Sequence, residues 1–308
     1  MTEIDRLCDS LAASGIALQR MLRDEPMARH TTFRVGGPAD VLISARSAGE
    51  VALVLATAEA CDVPAMIIGN GSNLLVRDGG IEGVVVRIGE EMAGIEFDGA
   101  HVRAGAGCLM SRLGAECARR GLTGFEPLSG IPGTLGGAAA MNAGAYGAEL
   151  KDVLRSATVL RGRQIEQLSL EDMAMGYRTS RVLREGLIVT EVCLELTPDD
   201  PQAVRARTDD YTARRRAKQP LSMPSAGSTF KRPEGHFAGA LIEQCGLKGT
   251  RVGGAQVSWM HAGFIVNTGG ARAQDVLDLI DLVRTKVRMC TGVELEPEVR
   301  VIGRERRG

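Results

Sequence analysis

Residues 129–147 read SGIPGTLGGAAAMNAGAYG. The run holds six glycines (130, 133, 136, 137, 144 and 147), Gly124 stands just before it, and none of its residues is charged. A solvent-exposed loop of this length is expected to be polar, yet this one is small and apolar. Glycine lets backbone approach a ligand closely, so the stretch suits a large, flat, largely apolar molecule such as a flavin ring with its ribityl chain. Close helix packing is the competing reading, because small residues serve that purpose equally well.

A second glycine-bearing loop lies upstream. Residues 67–76 read IIGNGSNLLV, two apolar runs separated by Gly69, Asn70, Gly71, Ser72 and Asn73. Successive small residues can aim several backbone N–H groups into one concavity, which suits a pyrophosphate. Ser72 and Asn73 would add side-chain donors. A plain hairpin would need only one of these glycines.

Outward from the two loops the pattern is mixed. Residues 1–22 read as an amphipathic helical arm. Between 39 and 88 the chain alternates ADVLISAR, a helix from Ser47 to Cys61, PAMIIG and GVVVRIG, with Ser47 and Glu50 predicted to form a capping box. Strands follow at HVRAGAG, SATVLRG and GLIVTEVCLEL, with a helix over about 108–120 closed by Gly121. A charged helix over 201–218, a helix at 238–245, a strand at HAGFIVN and a helix over 272–290 precede the final strand, LEPEVRVIG. Val276, Leu279, Ile280, Val283 and Val287 recur at helical spacing. The fold class is α+β, and the expected organisation is residues 1–92, 93–200 and 201–293, with 294–308 returning to the first block.

Composition excludes several function classes. Glycine accounts for 39 of 308 residues, above the roughly 7% average. Net charge is −1, so no basic field suggests nucleic-acid binding. Seven scattered cysteines with no CxxC spacing argue against disulfides and against a metal cluster, and no metal is expected. No apolar stretch reaches the roughly 18 residues of a membrane span, and the N-terminus lacks a signal-peptide pattern, so a cytoplasmic protein is expected. HVRAGAGCLM imitates a dinucleotide fingerprint, but Met110 stands where its third glycine belongs. No GxxxxGK[ST] is present. Neither His30 nor His101 has local features of a covalent flavin tether.

Five motifs in one order, GNGSNLLVRDGG, SGIPGTLGGAAAMNAGAYG, YRTSR, PSAGSTFKRP and LEPEVRVIG, resemble the UDP-N-acetylenolpyruvoylglucosamine reductases over residues 20–303. The resemblance implies an FAD-binding fold of the vanillyl-alcohol oxidase type, two α+β subdomains plus an α+β substrate domain. It implies non-covalent FAD, NADPH as hydride donor, and reduction of UDP-N-acetylglucosamine enolpyruvate to UDP-N-acetylmuramate in peptidoglycan precursor synthesis, with no obligate protein partner. RTSRVLREGLIV leaves no room for the tyrosine-bearing insertion of the longer family members, so the sequence resembles the shorter class.

Residue by residue, Arg178 matches the family's catalytic arginine, Ser228 its proton donor and Glu298 its catalytic glutamate. An arginine can clamp a carboxylate and the enolate charge that forms beside it, and a hydroxyl can deliver the proton. Cofactor contacts are expected from Gly69, Asn70, Gly71, Ser72 and Asn73, from Gly130, Ile131, Pro132, Gly133, Thr134 and Gly137, and from Asn142, Gly144 and Ala145. Substrate contacts are expected from Tyr177, Arg215, Lys218, Lys231, Arg232 and His261, with Lys231 also a local charge beside Ser228. Arg215 and Lys218 belong to a run, 205–218, that would ordinarily be a solvated face. Along the last strand, Glu296, Glu298 and Arg300 would share one face and Val299 and Val301 the other. Two other readings stay open: a same-fold flavin oxidase of an alcohol or sugar, and a non-catalytic FAD or nucleotide sensor that retained the scaffold.

Overall fold

A computed structural model describes residues 2–305, which divide into two compact units. Unit one takes the residues up to Leu22, Val41–Asn70 and Gly83–Arg215; unit two takes Arg23–Asp40, Gly71–Glu82 and the residues from Arg216 on. A four-stranded sheet runs in the order Met21–Pro26, Pro38–Ala45, Ile81–Ile88, Ala65–Ile68.

Unit one opens with the helix Glu3–Ala13, whose Thr2 hydroxyl accepts from the Asp5 N–H at 3.1 Å and whose apolar side buries Leu7, Cys8 and Leu11. The expected arm of 22 residues is shorter than that. Ser14 and Gly15 (φ +96°) end the helix, and the chain has become strand by Met21. The helix Ala48–Ala60 starts where the capping pattern put it, with Ser47 Oγ accepting from the Glu50 N–H at 3.1 Å. The reciprocal half of the box is absent. Glu50 gives its carboxylate instead to Arg20 (2.8 and 2.6 Å), a two-pronged pair of opposite charges, and to the Arg46 N–H (2.8 Å).

The remainder of unit one centres on a five-stranded antiparallel sheet ordered Gln164–Ser169, Leu154–Arg161, Ile188–Glu195, His101–Gly105, Ile95–Asp98. Its register sets Val192 against Ala104 and Leu194 against Val102, all buried, so the period-2 pattern of HVRAGAG and VTEVCLEL becomes one core face. The helix Met110–Arg119 buries Met110, Leu113 and Cys117. Gly121, left-handed at φ +65°, stops it by donating to the Ala118 carbonyl at 3.1 Å. Within the glycine run lies a further helix, Leu135–Met141, which packs against the strand Ile188–Glu195. A β-carbon on Gly136 would lie 2.7 Å from the Ala106 methyl, so this part of the run serves close packing.

Unit two has its own core, with Phe230, Leu241, Ile242, Val257 and Leu279 among its buried residues. Its antiparallel sheet is ordered Ser225–Ser228, Phe264–Asn267, Ala255–Val257, Arg251–Val252. The helix Ala273–Thr291 buries the five apolar positions predicted from their spacing. Asp78 satisfies its first N–H groups, accepting from Ala273 at 2.8 Å and Gln274 at 3.1 Å. The final strand is shorter than LEPEVRVIG suggested. Only Arg300–Ile302 forms it, parallel to Leu74–Val76, because Pro297 cannot donate to a ladder. Leu295 and Val299 are buried but Val301 is 37% exposed, so the two-faced pattern holds only in part.

Candidate active site

In unit one the two glycine loops meet. The Asn70 side-chain amide donates to the Pro132 carbonyl at 2.7 Å, and a β-carbon on Gly69 would run into the Thr134 hydroxyl. Any larger residue there would displace the Thr134 side chain. Among the described residues, the N–H groups of Asn70, Gly133 and Thr134 have no backbone acceptor. Three backbone donors without a backbone acceptor, on loops that touch, suit a pyrophosphate and fit a dinucleotide. Ile131 turns the other way and packs on the core of the unit. Gly137 is exposed, and Gly144 and Ala145 form a half-buried strand.

Asn142 is fully buried at 0% exposure. It closes the helix Leu135–Met141 in the left-handed conformation (φ +44°), its amide donates to the Gly176 carbonyl and to Glu149 at 3.1 Å each, and its oxygen accepts from the Lys151 N–H at 3.1 Å. Its side chain is consumed inside the protein. Its contribution is to tie the end of the glycine run to the turn that carries Tyr177 and Arg178.

That turn is strained. Gly176 and Thr179 exchange both backbone hydrogen bonds (2.9 and 3.3 Å), which leaves Tyr177 and Arg178 as the two central residues, and Arg178 has φ +55°. A positive φ at the second central position ordinarily calls for glycine or asparagine. The Arg178 guanidinium is half-buried, reaches the Gly144 carbonyl at 3.5 Å, and lies 5.4 Å from the centroid of the Tyr177 ring, which is 54% exposed. The fold thus aims a cation at the end of the glycine run.

Arg215 differs from its neighbours in the basic run. Arg214 and Arg216 are exposed, as is Lys218, whereas Arg215 is 8% exposed and donates to the Gly130 carbonyl at 2.7 Å. Burial pushes its pKa down. Arg207 of the same run is also spent locally, on Glu126 (2.9 Å) and Asp199 (2.6 Å). Burial alone would raise the Glu126 pKa, but bonds from Thr123, Arg207 and the Gly124 N–H hold it below the ordinary value. Sequence reasoning missed Glu126, Tyr146 and Tyr211 here. The one available signal was a tyrosine, Tyr146, before Gly147 where a turn favours asparagine.

In unit two, Ser228 ends the strand Ser225–Ser228 opposite Phe264, and Gly227 (φ +76°) introduces the irregularity that turns it outward, exposed. The next residues pair with the C-terminal segment. The Thr229 carbonyl accepts from the Glu298 N–H at 2.8 Å, and the Glu296 carbonyl accepts from the Lys231 N–H at 2.8 Å. Asn73 joins them, donating its amide to the Glu298 carbonyl at 3.3 Å while its own carbonyl accepts from the Arg300 N–H at 2.9 Å. Ser228, Glu298 and Asn73 therefore come from three distant segments into one small region. Half-buried Ser72 is next to Asn73, and Gly71 sits where a β-carbon would strike the His30 carbonyl. Lys231, the expected local charge beside Ser228, has a counter-charge of its own. Its ammonium pairs with Glu296 at 2.5 Å, the nearer counter-charge across the same backbone pairing.

Arg232 is exposed and stacks its guanidinium 4.1 Å from the centroid of Phe237. His261 accepts from the Gly263 N–H at 3.1 Å through Nδ1 and meets Phe264 edge-on at 5.0 Å. Burial pushes its pKa below the usual histidine range. The folded chain then refuses a proton that the unfolded chain accepts as pH falls through about 6.5, so stability is lost on acidification through that range. Calorimetric melts from about pH 7 to about pH 5 are expected to fall more steeply for the parent than for His261→Asn. Parallel slopes would show that His261 contributes nothing to the acid sensitivity.

Among the described residues no cluster of three or more His, Cys, Asp or Glu side chains could hold a metal, and no helix is long and apolar enough to cross a membrane.

Comparison with known proteins adds an independent line. Residues 219–302 match the family model described as UDP-N-acetylenolpyruvoylglucosamine reductase, C-terminal domain, and residues 39–164 match an FAD binding domain. The UDP-N-acetylenolpyruvoylglucosamine reductase of Alkaliphilus oremlandii is 49% identical over 286 residues, covering 92% of this chain and 94% of the relative. That of Clostridioides difficile is 47% identical over 283 residues, covering 92% and 93%. The crystal structure of UDP-N-acetylenolpyruvylglucosamine reductase from Thermus caldophilus aligns with a TM-score of 0.80 at 38% identity, covering 92% of this chain and 98% of that one.

Proposed function

The chain belongs to the UDP-N-acetylenolpyruvoylglucosamine reductase family, and from that premise we propose how its own residues carry out the family reaction. It is an FAD-containing oxidoreductase that reduces UDP-N-acetylglucosamine enolpyruvate, with NADPH as reductant, in peptidoglycan precursor synthesis. Bound FAD supplies the hydride. The loops around Asn70, Gly133 and Thr134 hold its pyrophosphate.

Arg178 binds the enolpyruvyl carboxylate and stabilises the negative charge that develops next to it. Ser228 donates the proton from its hydroxyl, and Glu298 stabilises the enolic form. Tyr177 flanks the carboxylate; Lys218, Arg232 and His261 serve the sugar nucleotide, which is the organic partner of the site. Residues 1–92 and 93–200 are assigned to the cofactor and 201–293 to the substrate, and the pairing of Arg300–Ile302 with Leu74–Val76 supports the return of the last strand to the first block.

One observation supports the residue assignment above the others: Ser228 and Glu298, seventy positions apart in sequence, are brought together where the Glu298 N–H donates to the carbonyl of Thr229, the residue after Ser228. An anaerobic titration tests the function. NADPH is expected to bleach the visible flavin band of the purified protein, and the enolpyruvyl sugar nucleotide to restore it. A colourless protein, or a band restored only by dioxygen, would overturn the reading.

A further inference from the structure

We propose that Arg215 is a positioning residue that clamps the glycine-rich run into its cofactor-binding shape, with Tyr146 as the second jaw of the clamp. The proposal rests on the flavin reading of that run. It reassigns Arg215, whose place in a basic stretch suggested a substrate phosphate.

A guanidinium is costly to bury without a partner, and among the described residues no carboxylate forms an ion pair with Arg215. Its neighbours Arg214 and Arg216 stay in solvent, while Arg215 of the same helix, Pro201–Lys218, is turned inward. Its bond goes to the carbonyl of Gly130, at the start of the run. A β-carbon on Gly130 would lie 3.0 Å from Arg215 Nε, so the side chain lies close against bare backbone.

The same helix reaches the other end of the run. Residues 144–149 form a two-residue hairpin, Ala145 opposite Ala148, with both central residues left-handed: Tyr146 at φ +55° and Gly147 at φ +85°. That turn favours Asn-Gly, and a tyrosine is strained there. The strained ring is held between two side chains of the helix, 5.1 Å from the Tyr211 ring and 5.9 Å from the Arg215 guanidinium carbon. Glycine-rich backbone loses the most freedom on ordering, so a site built from it binds well only when something else fixes its shape beforehand. Arg215 and Tyr146 supply that constraint at both ends.

The test uses the full chain and compares Arg215→Met, Arg215→Lys and Tyr146→Asn with the parent. FAD affinity is read by quenching of FAD fluorescence on titration into apoprotein. UDP affinity is read by calorimetry on the FAD-saturated protein. Arg215→Met is expected to weaken FAD binding by about tenfold or more, the loss of one charge-assisted bond. Arg215→Lys should recover part of it, since an ammonium can still reach the Gly130 carbonyl. Tyr146→Asn creates the preferred turn, so it should melt no lower than the parent and still bind FAD more weakly; it carries the test should Arg215→Met not fold. UDP affinity should stay at the parent value throughout. Weaker UDP binding with unchanged FAD binding would overturn the clamp in favour of a phosphate ligand, and unchanged values for both would overturn it outright. A parent that takes up no FAD would sink the flavin reading, and the clamp with it.

Discussion

Ser228→Ala is expected to leave the bleaching of bound flavin by NADPH nearly unchanged while slowing its recovery with the enolpyruvyl sugar nucleotide by roughly 10²–10⁴-fold, the contribution of a lost general acid. The asymmetry follows from what the side chain is free to do. Ser228 is exposed at the end of its strand, and its backbone position is set by the pairing with Phe264 and by the left-handed Gly227 before it. Loss of the hydroxyl should therefore change stability by no more than about 0.5 kcal/mol, as for other surface positions. Delivery of hydride to the flavin requires no proton from this residue, whereas completing the reduced product does. Stopped-flow absorbance under anaerobic conditions separates the two halves. Equal slowing of both would reject Ser228 as the proton donor and point to a general distortion of the site.

Arg178 should show a different signature, in which two variants that lose activity alike differ in stability. The turn places it at φ +55°, where an L side chain costs about 1–2 kcal/mol relative to a relaxed residue. Arg178→Gly relieves that strain and Arg178→Ala does not, so the glycine variant is expected to be about 1 kcal/mol more stable than the alanine variant. Both should lose roughly 10²–10³ in kcat/KM, the usual cost of removing one preorganised donor from a developing anion. Arg178→Lys keeps the charge but not the planar two-pronged fork, so it should recover only part of the rate. Thermal melts and steady-state kinetics on the three variants decide the matter. A glycine variant no more stable than the alanine variant would remove the strain argument, and a lysine variant as fast as the parent would remove the carboxylate clamp.

The strained conformations of Arg178 and Tyr146 have the same origin. In each case a residue that would relax in isolation is held by distant packing: Asn142 ties the Gly176 carbonyl to the end of the helix Leu135–Met141, and Tyr211 holds the ring of Tyr146. Local misfit of this kind, tolerated because the surroundings overdetermine it, concentrates where chemistry needs a group in an unfavourable place.

The glycine run shows where the sequence was ambiguous. Its reading as a ligand loop and its reading as close packing were posed as alternatives, and the structure gives one part of the segment to packing while another part keeps backbone donors available. Gly136 packs against Ala106, while the N–H groups of Gly133 and Thr134 have no backbone acceptor among the described residues. No spacing rule could have separated the two, because glycine looks the same in both roles.

Local order was determined by the sequence alone. Ser47 capping its helix, Gly121 ending another and the five buried positions of Ala273–Thr291 each depend on residues within about four positions of one another, and that range is what a linear pattern encodes. The order of the five motifs likewise carried the family. Only the tertiary structure decided which partner each charged group takes. The Glu50 carboxylate went to Arg20, the Lys231 ammonium to Glu296, and Arg215 closed on Gly130, 85 positions away. Electrostatic pairing is settled by distance and burial in three dimensions, and neither quantity is written along the chain.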